Sequence, residues 1–288
     1  MSALRSLQPV ETALNDKEAP FMRIPVLVYH QIAGRDHSGC TARSRALEDH
    51  FERQMRYLHD HEYSCLALAD LLSPSRPCAK KRPFVLTFDD GYVDYLERAH
   101  SVLQSCAFTA TVFLVADRVG GRSDWDGERG SALLSWQQVR ALQREGVTFG
   151  SHTCTHPHLP SLSVEQVRRE LCSSRRRLED ELGHEVAMLC YPHGESNQVI
   201  REIAAEVGYK AACGSLTGPA GPFNIWRWPC RAYDSMPTVL LRLSPWYRRY
   251  RRLRRWAREE SALGRIVGRA KQQWSPAEAC SRSGGSGG

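Results

Sequence analysis

Strand and helix signals alternate along most of this chain. "IPVLVYH" (24–30) reads as a strand, and "ALEDHFERQMRYLHDHEY" (46–63) as a helix with Leu47, Phe51, Met55 and Leu58 at helical spacing. "FVLTF" then predicts a strand, "YLERAHSVLQSC" a helix and "FTATVFLV" a strand rich in β-branched and aromatic residues. "SWQQVRALQREG" predicts a helix from a Ser135 cap to Gly146, and "VTFGSH" a strand. "SVEQVRRELCSSRRRLEDELG" predicts a long helix from a Ser163 cap to Gly183, followed by a strand, "VAMLCYP". "QVIREIAAEVGY" ends near Gly208 as a helix and leads into a short strand, "KAACGS". Such alternation points to parallel strands joined by crossover helices. Without an internal linker rich in Pro, Ser or Gly, one long run of these units fits a (β/α) barrel better than two domains.

Composition excludes some classes. With 42% hydrophobic and 25% charged residues the chain is of ordinary globular make-up. No segment approaches the ~20 apolar residues of a membrane span. The first twenty residues lack the apolar core of an export signal. The ten cysteines are scattered, with no CxxC pair, which fits a reducing compartment and no disulfide framework. The resulting expectation is a cytoplasmic protein.

Strand ends gather the chemistry. The first strand ends at His30, "VLTF" at Asp89 and Asp90, "VTFG" near His152 and His156, and "AMLC" at Tyr191-Pro192-His193-Gly194. In a parallel barrel all strand C-termini open on one face, so these groups are expected to converge. Asp-Gly alone is more often a turn, and a lone H-x-x-x-H is a weak signal. Their joint occurrence directly after strands is the stronger observation. Four residues apart on a helical turn, His152 and His156 would face one side. Two imidazoles and one carboxylate suit a divalent ion. One Asp can then be a ligand and the other a base, the cation offsetting their repulsion.

With these motifs in place, the chain resembles the polysaccharide deacetylases with a NodB-homology domain, carbohydrate esterase family 4. "TFDDG" (87–91) is similar to the first family motif, "HTCTHPHL" (152–159) to the H-x-x-x-H motif and "YPHGESN" to the third. "IWRWPCRAYDS" (225–235) resembles the basic segment that follows, and the likeness covers roughly 22–245. The resemblance implies a distorted (β/α) barrel that removes acetyl groups from N-acetylated sugars with Zn2+ or a similar divalent ion. It implies Asp89 as general base, Asp90, His152 and His156 as metal ligands, and a backbone N–H near His193 as oxyanion donor. Tyr191, Pro192 and Gly194 of the third motif, with Arg227 and Arg231, are then expected to border substrate.

The chain departs from the family in three places. Many members carry a Leu-x-x-His motif near the C-terminus, whereas residues 235–262 contain no histidine. The branch resembling poly-β-1,6-N-acetylglucosamine deacetylases takes its acid from an N-terminal strand ending in Tyr-His, which "VLVYHQI" (26–32) matches. His30 is therefore the first acid candidate and His193 the second. His193 also stands where an aromatic is expected between Pro192 and Gly194. Finally, the arginine usual upstream of the third motif is missing, leaving Arg227 or Arg231 to orient Asp89.

The expected organisation is an extension at 1–21, the barrel at 22–245, a basic amphipathic helix at 246–274 and a flexible tail at 275–288. Residues 246–272 hold nine Arg and one Lys against two Glu, +8 within a chain of net +7. Either that helix packs its apolar side on the barrel or it attaches to an anionic membrane surface. Nucleic acid is disfavoured, because no reading motif accompanies the charge. Peripheral placement at the inner membrane would suit a lipid-linked glycan precursor as substrate. The alternatives are hydrolysis of another C–N bond, or a non-catalytic barrel that binds glycan or membrane.

Overall fold

The computed structural model describes residues 24–34, 45–72, 81–125, 130–215, 219–232, 234–244, 246, 247, 249–251 and 253. The expected extension at 1–21, most of the helix at 246–274 and the tail at 275–288 lie outside the described residues. Lys17–Leu243 forms one compact unit, which holds every element below.

Its strands are β1 (Val26–Tyr29), β2 (Gln31–Ala33), β3 (Arg45–Leu47), β4 (Ser64–Leu66), β5 (Pro83–Phe88), β6 (Thr111–Leu114), β7 (Thr148–Ser151), β8 (Met188–Cys190), β9 (Ala211–Gly214) and β10 (Ile225–Pro229). Seven of them close a parallel ring in the order β1-β10-β9-β8-β7-β6-β5, with β5 pairing back to β1. The (β/α) barrel expected from the alternation is the observed fold. Its distortion sits at β5. One edge of that strand pairs with β1 from Val85 to Phe88. The other edge is shared, Pro83–Val85 with β4 and Thr87–Phe88 with β6. Strands β2 and β3 make a separate two-stranded sheet.

The helices are α1 (Glu48–Asp60), α2 (His100–Ser105), α3 (Trp136–Arg144), α4 (Val164–Leu182), α5 (Gln198–Val207) and α6 (Met236–Leu243), and a π-helical turn, Tyr95–Ala99, leads into α2. Ser135 and Ser163 start α3 and α4 through reciprocal bonds with Gln138 and Gln166, satisfying amides that a helix start leaves unpaired. Gly183 ends α4 and Gly208 ends α5 in the left-handed region, where a glycine carries no Cβ penalty.

Alternation along the strands divides the core into two layers. Tyr29 and Phe88 point outward and pack edge-on against Phe51 of α1, with ring centroids 5.1 and 5.9 Å apart. Val26, Val85, Phe113, Met188, Cys190, Ala211, Cys213 and Ile225 form an inner cluster. Several of these are small, which leaves room inside the ring for one long side chain. That side chain is Arg227. Its strand, β10, was not apparent as a strand in the sequence, because "IWRWP" places a charge at its centre and a proline at its end.

Candidate active site

Strand β5 carries the paired carboxylates to the mouth of the ring. Val85, Thr87 and Asp89 alternate inward, and the Asp89 N–H continues the ladder by donating to the Tyr29 carbonyl at 3.0 Å. The next two residues then turn through left-handed backbone, Asp90 at φ 71° and Gly91 at φ 77°. The positive φ of Gly91 favours glycine there, and a Cβ would also press on the end of the Leu114 side chain, 2.7 Å from Cδ2. The turn swings Asp90 away from Asp89 and towards the loop after β7.

That loop supplies both histidines, though not by a helical turn as their spacing suggests. Residues 152–156 follow β7 without helix, and Thr153 (φ 68°) and His156 (φ 63°) both lie in the left-handed region. This costs roughly 1–2 kcal/mol at each residue. The loop folds back so that the two imidazoles meet edge to face, 4.9 Å between centroids. Each Nε2 lies 3.3 Å from Asp90 Oδ1. Among the described residues, that buried oxygen accepts no hydrogen bond.

This donor set fits a divalent cation. Two ligands each about 2.1 Å from an ion stand roughly 3.0–3.4 Å apart. The three side chains are buried and offer one carboxylate oxygen and two imidazole nitrogens. Burial opposes ionisation of Asp90, but the adjacent His152 and His156 imidazoles outweigh it and hold the carboxyl well below its usual range. Burial also disfavours charge on His152, yet Asp90 and Asp89 carry its pKa above the ordinary value. His156 goes the other way, lowered first by burial.

Asp89 has a different partner. Arg227 reaches it across the ring with both terminal nitrogens, Nη1 to Oδ1 at 2.6 Å and Nη2 to Oδ2 at 2.7 Å. The same guanidinium donates to Thr87 Oγ1 at 3.1 Å and Cys190 Sγ at 2.9 Å, and lies over the Phe113 ring. Burial would raise the Asp89 carboxyl, but Arg227 more than offsets this and keeps it below the usual value. Of the two arginines expected to orient Asp89, the structure places Arg227 there. Arg231 is exposed on the following loop, its N–H donating to Asp234 at 2.6 Å.

His30 ends β1 beside the same carboxylate, Nε2 3.8 Å from Asp89 Oδ2, and its side chain is 31% exposed. His193 stands on the opposite side of the mouth. Its ring stacks on His158 at 3.8 Å and meets His156 edge-on at 4.7 Å. Those neighbours take solvent from it and add charge beside it, pushing its pKa down to about 4. Tyr191 and Pro192 are buried behind it, the Tyr191 hydroxyl donating to the Phe223 carbonyl. The turn bonds Gly194 N–H to the Tyr191 carbonyl and Glu195 N–H to the Pro192 carbonyl, which occupies those two amides.

Three further residues at the mouth were not singled out by sequence. Cys190 lies against Asp89 and Arg227, His158 stacks on His193, and Trp125 stacks on His156.

Residues 76–212 match the polysaccharide deacetylase family, and the Asp-His-His cluster and its neighbouring Asp fall within that span. The chain is thus similar to the polysaccharide deacetylases over just under half of its length. The chain is 27% identical over 205 residues to the putative polysaccharide deacetylase YxkH of Bacillus subtilis, covering 69% of this chain and 66% of that one. It is 23% identical over 277 residues to the poly-beta-1,6-N-acetyl-D-glucosamine N-deacetylase of Escherichia coli, covering 83% of this chain and 39% of that protein. It thus spans just under two thirds of the first relative and about two fifths of the second. In fold it is similar to the Streptococcus pyogenes deacetylase PplD, solved with acetate (TM-score 0.67, 24% identity, 77% of this chain and 98% of that one). It is also similar to the putative polysaccharide deacetylase BA0330 of Bacillus anthracis (TM-score 0.64, 24% identity, 77% and 69%). No helix among the described residues is long and apolar enough to cross a membrane.

Proposed function

We propose that this chain hydrolyses N-acetyl groups of an N-acetylated sugar polymer or its lipid-linked precursor, with a divalent ion held by Asp90, His152 and His156. The observation that carries the reading is the pairing of unlike carboxylates. Asp90 Oδ1 sits between two imidazole nitrogens, while Asp89, next in the chain, is held ionised by Arg227. Zn2+ is the expected ion, and when bound it supplies Lewis acidity, polarising an acetamide carbonyl and acidifying water.

The chain's own groups divide the remaining work. Asp89 accepts a proton from the attacking water, a task for which it must be ionised, and Arg227 keeps it so. His30, beside Asp89, delivers a proton to the departing amine. His193 suits that task less well, since a ring with a pKa of about 4 holds no proton near neutrality. The backbone N–H near His193 is the expected oxyanion donor, a type of contact worth about 3 kcal/mol. Tyr191, Pro192 and Gly194 shape the wall on that side.

The test is metal analysis together with acetate release from N-acetylglucosamine oligomers. The parent should hold about one ion per chain and release acetate. D90A should lose both the ion and acetate release, and D89N should keep the ion and lose turnover. Metal uptake without acetate release would move the site to another C–N bond. Full turnover without metal would reject the reading altogether.

The exposed side chains Trp246 (71%), Tyr250 (52%) and Leu253 (59%) recur at helical spacing beside arginines. They support attachment of 246–272 to an anionic membrane surface, at about 1 kcal/mol per basic residue. Co-sedimentation with phosphatidylglycerol vesicles but not with neutral ones is the expected result. Equal binding to both would count against it.

A further inference from the structure

The two histidines that flank Asp90 are held in different ways. His152 Nδ1 is 2.8 Å from the Cys190 carbonyl, the usual kind of support for a ligating imidazole. His156 Nδ1 is buried and, among the described residues, makes no hydrogen bond. Its ring is held by aromatic contacts instead. The Trp125 indole lies almost parallel to it, 4.3 Å between centroids at 24°, and the His193 ring meets it edge-on.

Trp125 is itself fixed. Its Nε1 donates to the hydroxyl of Tyr92 at 3.2 Å, and Tyr92 follows Asp90 by two residues. Tyr92 bridges Leu133, and Arg122 bridges Ala132, so the segment bearing Trp125 is laced to the turn that bears the carboxylates. Further bonds run from Leu134 N–H to the Gly91 carbonyl (2.8 Å) and from Val93 N–H to the Ala132 carbonyl (3.0 Å). The buried Ser123 closes the segment by donating its N–H to Ser131.

We infer that Trp125, seated by Tyr92, is the positioning residue for the His156 imidazole and so sets the affinity of the Asp90–His152–His156 cluster for its ion. Stacking substitutes for the missing hydrogen bond: it fixes the ring plane, which aims Nε2 at the point shared with Asp90 and His152. The inference rests on the metal reading above.

Co2+ titration of the metal-free full chain, followed by its visible d–d absorption, tests it with a readout independent of turnover. W125A should bind Co2+ about 10-fold more weakly than the parent and with shifted bands, at the lower end of what loss of a ligand's supporting contact costs. W125F keeps a stacking face and should recover most of the affinity. Y92F should weaken binding by a factor of about two to five. Far-ultraviolet circular dichroism confirms folding of each variant, and if W125A does not fold, W125L and Y92F decide. Unchanged affinity and bands in W125A, or in both W125L and Y92F, would overturn the inference alone. A parent that takes up no Co2+ would overturn the metal reading and this inference with it.

Discussion

The guanidinium of Arg227 holds both carboxylate oxygens of Asp89, at 2.6 and 2.7 Å, from the strand that closes the ring. Both partners are buried. A bidentate pair fixes the carboxylate plane as well as its charge, which a single ammonium does not.

R227A should therefore act on stability and chemistry together. Leaving the Asp89 charge buried and unpaired costs about 3–5 kcal/mol, seen as a lower midpoint in urea. R227K keeps the charge without the fork and separates the two effects. Its base should ionise at higher pH than in the parent, moving the acid limb of kcat/KM upward. An unshifted limb would show that Arg227 does not tune Asp89.

Removing the imidazole of His30 should leave metal content intact while lowering kcat. Loss of a positioned proton donor costs typically 10²–10⁴-fold. Substrates with better leaving groups should be affected least. A kcat equal to that of the parent in H30A would move the donor role elsewhere.

Metal binding should release protons. The carboxylates raise the pKa of His152, so in the metal-free chain the ring holds its proton to higher pH than a free imidazole. Affinity is then expected to fall as pH is lowered through neutrality. Calorimetry in two buffers of different ionisation enthalpy counts the protons displaced. Equal heats in both would contradict the raised pKa.

His193 gives a stability prediction of definite sign. Folded, its ring takes a proton only near pH 4, whereas in the unfolded chain it does so near 6.5. Between those values the unfolded chain binds more protons, so acidification favours unfolding. The midpoint temperature should drop as pH falls from about 6.5 towards 4, and more gently in H193N. Asparagine is chosen because residue 193 sits at φ 58°, which it tolerates better than most residues. Parallel curves for parent and variant would count against the assignment.

The strands and helices of the barrel were readable because their periods are strong and their ends are marked, as at Ser135, Ser163, Gly183 and Gly208. Asp89 and Asp90 stood out because two acids after an apolar run need an explanation. The route by which His152 and His156 meet did not, since left-handed backbone at Thr153 and His156 leaves no pattern in residue spacing. Strand β10 was hidden because its central side chain is an arginine, and only the ring's interior gives that charge a partner. Trp125 lies in a polar, Gly-rich loop, where one aromatic has no period to betray its contact. Its significance depends on a histidine 31 positions later in the chain.

Arg227 and Asp89 are 138 residues apart, and the arginine lies on the last strand to join the ring. The three residues of the cation cradle, by contrast, all lie in the turns after β5 and β7, with His152 steadied from β8. In chain order the cradle's residues thus all precede the anchor of Asp89, and the two halves of the site are joined only where the end of the ribbon meets its beginning.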